Sequence, residues 1–270
     1  ISTLPYPGRS RPGATICISQ ISGSGRNEGL GCRSVSEPLE ATSALLATTD
    51  LFAGLPDPAL RQVAASARVQ RLSHRARIFN QGDGHVRVHA LFSGWVRISQ
   101  TGSDGDQVVV RFIGPGTIFG VMAPFTDGRY QTDATAVLDL TEASWSEADL
   151  QQLMLQHPEI AINMTRIIGR RLQEMQERAR ELATQRTGRR IAAALLRILA
   201  KAGQPTGSGT ASIPFPLRRR DIADVAGTTL YTASRTLAAW EAAGLIESRH
   251  RLLTIHDLRR LAQLAEFEEE

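Results

Sequence analysis

The side chains best suited to chemistry in this sequence are basic and hydroxyl groups near its C-terminal end. Three consecutive arginines, Arg218, Arg219 and Arg220, precede a short apolar segment, and Arg235 follows a run that contains threonine, tyrosine and serine. Guanidinium groups bind phosphates, and they also form paired hydrogen bonds with O6 and N7 of guanine. This combination predicts contact with a nucleic acid.

Basic residues are concentrated in the same part of the chain. Between Arg186 and Arg251 there are eleven lysines and arginines against four aspartates and glutamates, although the formal net charge of all 270 residues is only +4. Such a local excess of positive charge favours a polyanionic partner.

Other classes of chemistry find little support in the sequence. No nucleophile, base and orienting group form a recognisable arrangement, so we expect no catalytic residues and no enzyme activity.

Cys17 and Cys32 are the only cysteines, which predicts neither a disulfide scaffold nor a metal site and fits a reducing cytoplasm. No apolar run approaches eighteen residues and the first forty residues lack a signal-peptide core, so we expect a cytoplasmic protein without membrane contact.

The apolar residues around the arginines predict two short helices that cross closely. Ala223 is small at the crossing, and Gly227 permits a tight turn between the helices. The predicted buried face consists of Ile222, Val225, Ala233, Leu237 and Trp240.

The opposite side of the second helix is predicted to enter the major groove of DNA. Thr229 is suited to cap this helix. The residues expected to face DNA near its start are Thr229, Tyr231, Thr232, Ser234 and Arg235. Arg235 is the candidate for a guanine contact, whereas Arg218, Arg219 and Arg220 are expected to bind phosphates and to fix the register without recognising sequence.

A hairpin with a basic tip is predicted after the second helix. Apolar residues on both sides flank the segment Ser248 to Arg251, so Arg249 and Arg251 are expected to contact DNA from a wing. An ordinary helical hairpin with a solvated run of charges is the alternative.

A long amphipathic helix is predicted from Pro158 to Thr184. Its apolar stripe consists of Ile160, Met164, Ile168, Leu172, Met175, Ala179 and Leu182. The stripe continues for roughly seven turns, which favours a dimer seam between two such helices. Packing against its own domain is the alternative.

Short β-rich segments separated by glycine turns occupy the middle of the chain and predict a compact antiparallel roll. The predicted fold class is α+β: an N-terminal antiparallel β-roll of the cyclic-nucleotide-binding, jelly-roll-like type, a long dimerisation helix and a C-terminal winged helix-turn-helix. The predicted segments are a disordered extension (1–41), the β-roll sensor domain (48–157), the dimerisation helix (158–184), the DNA-binding domain (185–258) and a C-terminal tail (259–270).

Several motifs between Leu51 and Ile255 together resemble the Crp/Fnr superfamily of transcription regulators. They are LFAGLPDPAL, FNQGD, LFSGWVRISQ, GPGTIFG and GTTLYTASRTLAAWE. The resemblance implies an effector-controlled homodimer that binds a palindromic operator in promoter DNA and recruits or blocks RNA polymerase; activation and repression both fit.

The resemblance also implies a preference for TTGA-like half-sites, which family members recognise with a glutamate and an arginine four residues apart. Arg235 matches the arginine, but Tyr231 occupies the glutamate position. The preference at the neighbouring base pair is therefore left open.

The effector is less well defined by the sequence. Cyclic-nucleotide binders of this family use a Gly-Glu pair and an Arg-Ser or Arg-Thr pair, where this chain has Gly120-Val121 and Gln131-Thr132. Loss of both charged groups disfavours cAMP, although Arg129 lies close enough in sequence to substitute in part. An iron–sulfur cluster needs four thiolates and is disfavoured by the cysteine count.

Haem is a further candidate cofactor. The segments HALFSGWVRISQ and ATAVLDLTEASWS resemble the branch of the superfamily that controls denitrification, which is thought to respond to nitric oxide through haem. His89 is the candidate axial ligand, with His85 nearby; a packed structural histidine is the alternative. A rival from another class is a ligand-binding signalling module whose C-terminal domain contacts proteins instead of DNA.

Overall fold

The computed structural model describes residues 33–34 and 39–266. The N-terminal elements are, in chain order, β1 (Arg33–Ser34), α1 (Leu39–Leu46), α2 (Asp57–Ala65), β2 (Arg68–Leu72), β3 (Arg77–Phe79), β4 (Arg87–Ser93), β5 (Val96–Thr101), β6 (Gln107–Ile113), β7 (Ile118–Phe119), β8 (Asp133–Ala136), β9 (Leu140–Ser146) and α3 (Glu147–Gln156). The strands form two antiparallel sheets, in the orders β1-β2-β9-β4-β7 and β3-β8-β5-β6. This arrangement confirms the predicted roll.

The first sheet has apolar side chains on both of its faces, because successive side chains along a strand point to opposite faces. One face packs against α1, α2 and α3, where Trp145 is fully buried, meets Phe52 edge-on at 5.0 Å and donates a hydrogen bond to the carbonyl of Val63. The other face points into the roll. At Gly94, φ is +81° and a Cβ would lie 2.4 Å from the carbonyl oxygen of Asp139, so only glycine fits the turn between β4 and β5.

The long helix α4 (Pro158–Thr184) leads away from the roll. Its first turns belong to the core of their own domain: Ile160 and Met164 are 0% and 2% exposed in the cluster that contains Trp145. The prediction that these two residues form a dimer seam is therefore wrong, because nothing can reach them without opening the core. Further along, Ile168 is half-buried, and the exposed members of the stripe are Leu172, Met175, Ala179 and Leu182.

The remaining elements form a small mixed domain. They are α5 (Thr187–Ala202), β10 (Gln204–Gly207), β11 (Thr210–Ser212), α6 (Arg219–Ala226), α7 (Leu230–Ala242), β12 (Ile246–Arg249), β13 (Leu252–Ile255) and α8 (Leu258–Glu266). Its four strands pair in the order β10-β11-β13-β12. The glycine-rich stretch 203–209 forms β10 and the turn that leads into β11.

Two predicted unstructured segments need correction. Within the predicted extension, Arg33–Ser34 pair with β2 and α1 begins at Leu39; the rest of that extension, including Cys17 and Cys32, lies outside the described residues. The predicted tail contains α8, which packs on α5 through the fully buried Leu261. Residues 267–270 also lie outside the description. None of the helices in the described ranges is long and apolar enough to cross a membrane.

The C-terminal domain shares a core with the roll. Phe215, fully buried, packs at a tilt against Trp95 and Phe112, with ring centroids 4.8 and 5.0 Å apart. Trp95 precedes β5 and Phe112 lies in β6, so the outer face of the second sheet is covered by the domain that carries α6 and α7. Burial of these aromatic rings fixes the orientation of α7 relative to the roll.

Candidate nucleic-acid interface

The turn between α6 and α7 is built from two residues with specific backbone roles. Gly227 ends α6 in the left-handed conformation at φ +64°, and a Cβ there would lie 2.3 Å from Cδ2 of Leu182 on α4. Thr229 then caps α7, because its hydroxyl accepts a hydrogen bond from the backbone N–H of Thr232 at 3.2 Å. The tight turn and the cap expected from sequence are both present.

The two helices cross through small and apolar residues. Ala223 and Ala233 are fully buried, and Leu237 is 2% exposed. On the opposite side of α7, Tyr231 is 76% exposed and Arg235 is exposed as well. The half-buried residues on the same part of the helix are Thr232 and Ser234. The side chains predicted to face DNA therefore lie together near the N-terminal end of α7.

The three consecutive arginines have different environments, and this corrects the common role predicted for them. Arg219 donates from Nη1 to the carbonyl of Ser234 at 3.0 Å and from Nη2 to Oε2 of Glu241 at 2.7 Å. Arg220 donates to Oδ1 of Asp224 at 3.2 Å. These bonds hold α6 to α7 and stabilise α6 itself, so only Arg218 keeps an exposed side chain without a described ion pair.

The predicted wing is the hairpin of β12 and β13. Its two-residue turn consists of His250 and Arg251, with φ values of +51° and +67°. Positive φ at both central positions is the geometry of the turn that matches the twist of paired strands. The side chain of Arg249 is 80% exposed and lies beside Glu247, and Arg251 is exposed at the tip.

Polar contacts also join α6 to the roll. The buried carboxylate of Asp224 accepts a hydrogen bond from the backbone N–H of Val109 at 3.1 Å. Arg178 on α4 donates to the carbonyls of Val110 and Asp224 at 2.9 and 3.0 Å. The sequence analysis did not find this contact, since its partners are 46 or more residues apart and no local pattern links them.

Burial also affects the pKa of one carboxyl group at this contact. Burial raises the pKa of Asp221, while the backbone N–H of Arg218 and the guanidinium of Arg97, 3.8 Å away, oppose that shift. Asp221 therefore helps to begin α6 and also faces the roll.

Inside the roll, His89 belongs to a buried polar network. Its Nδ1 lies 2.9 Å from Oε2 of Glu142, and its Nε2 lies 3.1 Å from the hydroxyl of Tyr130. The other oxygen of Glu142 accepts a hydrogen bond from Gln70. The hydroxyl of Tyr130 also donates to the carbonyl of Arg87, and burial raises the pKa of Tyr130 to about 12. The phenol therefore stays protonated near neutral pH.

Two family models match parts of this chain. Residues 69–157 match the cyclic nucleotide-binding domain, and residues 189–264 match the Crp-like helix-turn-helix domain. FixK of Azorhizobium caulinodans, a nitrogen fixation regulation protein, is 30% identical over 203 residues, which are 74% of this chain and 81% of that protein. The chain belongs to the Crp/Fnr family.

Further similarities cover about three quarters or more of this chain. The CRP-like cAMP-activated global transcriptional regulator of Mycobacterium tuberculosis is 24% identical to this Crp/Fnr protein. The similarity covers 82% of this chain and 98% of that regulator. Two solved structures have the same fold: FixK2 from Bradyrhizobium japonicum (TM-score 0.64, 22% identity, 75% of this chain and 99% of that chain) and a CRP/FNR-family regulator from Thermus thermophilus (TM-score 0.63, 23% identity, 75% and 100%). This Crp/Fnr protein is thus a DNA-binding transcription regulator with a cyclic nucleotide-binding domain, and these relatives are regulators, not enzymes.

The side chains of this Crp/Fnr protein do not fit the haem predicted at His89. A ligating nitrogen needs a free lone pair with open space in front of it, but both nitrogens of His89 face hydrogen-bond partners and the ring is 3% exposed. His85 is exposed at the mouth of the roll. No cluster of three or more potential metal ligands occurs among residues 33–34 and 39–266. The network supports the structural interpretation of His89.

Proposed function

We propose that the chain acts as a homodimer that recognises palindromic promoter DNA through α7 and controls access of RNA polymerase. The observation that carries this proposal is the exposed face at the start of α7. Tyr231 and Arg235 lie near the N-terminal end of α7, and the opposite face of α7 packs on α6. This is the geometry of a recognition helix in the major groove.

The recognising side chains have separate tasks in this proposal. Arg235 supplies two parallel donors to O6 and N7 of a guanine, which corresponds to the guanine of a TTGA-like half-site. Thr229, Thr232 and Ser234 supply hydroxyls close to the helix start. Tyr231, 76% exposed, presents a ring and a hydroxyl where relatives present a carboxylate, so the preferred neighbouring base pair differs from theirs. Arg218, Arg249 and Arg251 bind flanking phosphates.

Dimerisation is proposed through the exposed part of α4. Ile168, Leu172, Met175, Ala179 and Leu182 recur at alternating steps of four and three residues, the spacing of a two-helix seam. They span about 21 Å of helix at 1.5 Å per residue. Leu172 and Met175 are 56% and 69% exposed, and pairing of two copies would remove this apolar surface from water.

The effector remains a separate part of the proposal. The similarity to FixK relatives is compatible with a role in nitrogen metabolism. The two hydrogen-bonded ring nitrogens of His89, however, give no support to a haem-mediated response. Cyclic AMP is also disfavoured, because Gln131 replaces the family's arginine and donates to Asp127 at 2.8 Å.

A salt titration distinguishes the regulator from a module that contacts only proteins. We expect tight binding, measured by fluorescence anisotropy, to a duplex with two TTGA-like half-sites, and a steep loss of affinity as salt rises, because phosphate contacts release counterions. Absence of binding at low salt would favour the protein-contact module.

The variant Arg235→Ala tests the recognition helix directly. We expect it to lose about 1–3 kcal/mol of discrimination between the specific duplex and a scrambled duplex. Arg259→Ala, an exposed arginine on α8, is the matched control and should leave discrimination unchanged. Equal losses on both duplexes for Arg235→Ala would contradict the assigned role.

A further inference from the structure

Lysine is almost absent from this sequence. Of the 31 lysines and arginines among the 270 residues, 30 are arginines, and Lys201 is the only lysine. The guanidinium of an arginine stays protonated in proteins, whereas the amine of a lysine becomes a nucleophile when it loses its proton. Lys201 is therefore the one side chain of this sequence that can offer a nucleophilic amine.

Lys201 lies in the last turn of α5, where this helix is joined to α4 by two ion pairs. In the first pair, Nη1 of Arg197 lies 2.7 Å from Oε1 of Glu181. In the second pair, Nζ of Lys201 lies 3.9 Å from Oε1 of Glu174, which is too long for a hydrogen bond. The other oxygen of Glu174 is held by Arg171 at 2.6 Å. The amine is thus loosely paired, and 43% of the lysine side chain is exposed.

The surroundings of Lys201 favour the uncharged form of its amine. Burial lowers the pKa of the Lys201 ammonium, and the carboxylate of Glu174 opposes that shift. The guanidiniums of Arg171 and Arg197 lower the same pKa further, because like charges disfavour the protonated form. A larger fraction of this side chain is therefore free amine at neutral pH than in an ordinary exposed lysine.

Arg197 places donors for an anion beside the amine. It precedes Lys201 by four residues on α5, so the two side chains share one face of the helix. Its Nη1 donates to both carboxylate oxygens of Glu181, at 2.7 and 2.8 Å. Its Nε and Nη2 make no described hydrogen bond, and 42% of the side chain is exposed. This face suits a reagent that carries both an electrophilic carbon and a phosphate group.

We propose that Lys201 is a modification site that takes an acyl group from a phosphate-bearing donor, either an acyl phosphate or an acyl thioester of a phosphorylated carrier. The free amine attacks the carbonyl carbon of the donor while Arg197 binds the phosphate. A C–N bond forms, the bond from that carbon to the leaving oxygen or sulfur breaks, and the leaving group departs with the electron pair. The amine nitrogen gives one proton to water. The product is an uncharged amide, which ends the pairing of Lys201 with Glu174.

The test measures acylation of the full-length protein without DNA, so its result does not depend on the DNA-binding proposal. Acetyl phosphate, acetyl-coenzyme A and p-nitrophenyl acetate, which has no phosphate, are reacted separately at one pH, and acylated peptides are quantified by mass spectrometry. Acetyl phosphate and acetyl-coenzyme A represent the two sources of the acyl group, and the faster of them identifies the carrier.

The variant Arg180→Lys supplies a matched control within the same chain. Arg180 is exposed on α4 and pairs with Glu177, so the substitution adds a second amine beside a carboxylate but outside the cluster around Lys201. We expect the better phosphate-bearing donor to acylate Lys201 roughly tenfold faster than this second amine, because the neighbouring positive charges concentrate an anionic reagent. The preference should be smaller with p-nitrophenyl acetate.

Two further variants separate the proposed site from accidental exposure of the amine. Arg197→Gln should slow acylation of Lys201 by acetyl phosphate several-fold, since it removes a positive charge and a phosphate donor. Glu174→Gln should speed the same reaction, because the carboxylate of Glu174 stabilises the ammonium form. Misfolding would expose the amine in both variants alike and would not produce opposite effects.

Two results would overturn the proposal. One is that neither phosphate-bearing donor acylates Lys201 faster than the amine introduced by Arg180→Lys. The other is that Arg197→Gln leaves the rate of acylation by the better of these donors unchanged.

Discussion

Arg219 joins the two helices of the DNA-binding motif. Its guanidinium bonds the carbonyl of Ser234 and the carboxylate of Glu241, both on α7, and its side chain is 39% exposed. Arg218, one residue earlier, is exposed and without a described ion pair. Two adjacent residues of similar chemistry therefore differ in their contacts, since Arg219 joins α6 to α7 and Arg218 is exposed to solvent.

We expect Arg219→Ala to lower the free energy of unfolding by about 1 kcal/mol, because it removes a hydrogen bond to the backbone and a partly exposed ion pair. The measurement is urea unfolding, combined with Glu241→Ala in a double-mutant cycle that isolates the pair. Arg218→Ala is the control and should change stability by less than about 0.5 kcal/mol. If Arg219→Ala leaves stability unchanged and weakens DNA binding uniformly, the arginine is a phosphate ligand.

At the scale of single residues, sequence reasoning predicted which types occur at the interface but not their partners. The run of arginines was visible, whereas Glu241 lies 22 residues from Arg219 and no local pattern assigns it to that arginine. The same holds for His89, whose partners Glu142 and Tyr130 come from other parts of the roll. A histidine in a strand could be a ligand or a structural residue, and only the three-dimensional contacts distinguish them.

Among the elements, the β12–β13 hairpin has backbone strain at the tip that we propose contacts DNA. His250 and Arg251 both adopt positive φ, which costs residues with a Cβ about 1–2 kcal/mol each. Asparagine and glycine suit these two positions of the turn best. The chain thus keeps a basic tip at a position where local stability favours other residues.

The double variant His250→Asn, Arg251→Gly should therefore raise the free energy of unfolding by about 1–2 kcal/mol and weaken DNA binding, because it relieves the backbone and removes a basic group. Thermal unfolding and anisotropy measure the two effects on the same sample. Arg251→Lys, which keeps both the charge and the strain, should change neither strongly. A destabilised double variant would show that the turn is not strained as described.

Apolar periodicity identified α4 correctly but could not say what covers its stripe. Ile160 and Met164 pack inside their own domain, whereas Leu172 and Met175 are exposed. The spacing is the same along the whole helix, so the sequence pattern predicts one continuous face. The division arises because α1, α2 and α3 cover only the first turns, a fact of tertiary structure.

For the whole molecule, the central feature is that the sensor roll and the DNA-binding domain share one core. Phe215 packs on Trp95 and Phe112, and Asp224 bonds the backbone of Val109. Family motifs predicted both domains and their order, but the contact between them depends on long-range pairs that leave no periodic signal. This contact joins the roll directly to the domain that carries α7, in addition to the connection through α4.

The dependence of DNA affinity on half-site spacing tests the proposed dimer most directly. Two recognition helices related by a two-fold axis must enter successive major grooves about 34–36 Å apart. We predict tight binding when the centres of two TTGA-like half-sites are one helical turn apart and a large loss when five base pairs are inserted, because the second site then faces away. Leu172→Glu, which disrupts the seam on α4, should abolish this dependence. Equal affinity at every spacing, or for a single half-site, would contradict a dimer that holds two recognition helices in register.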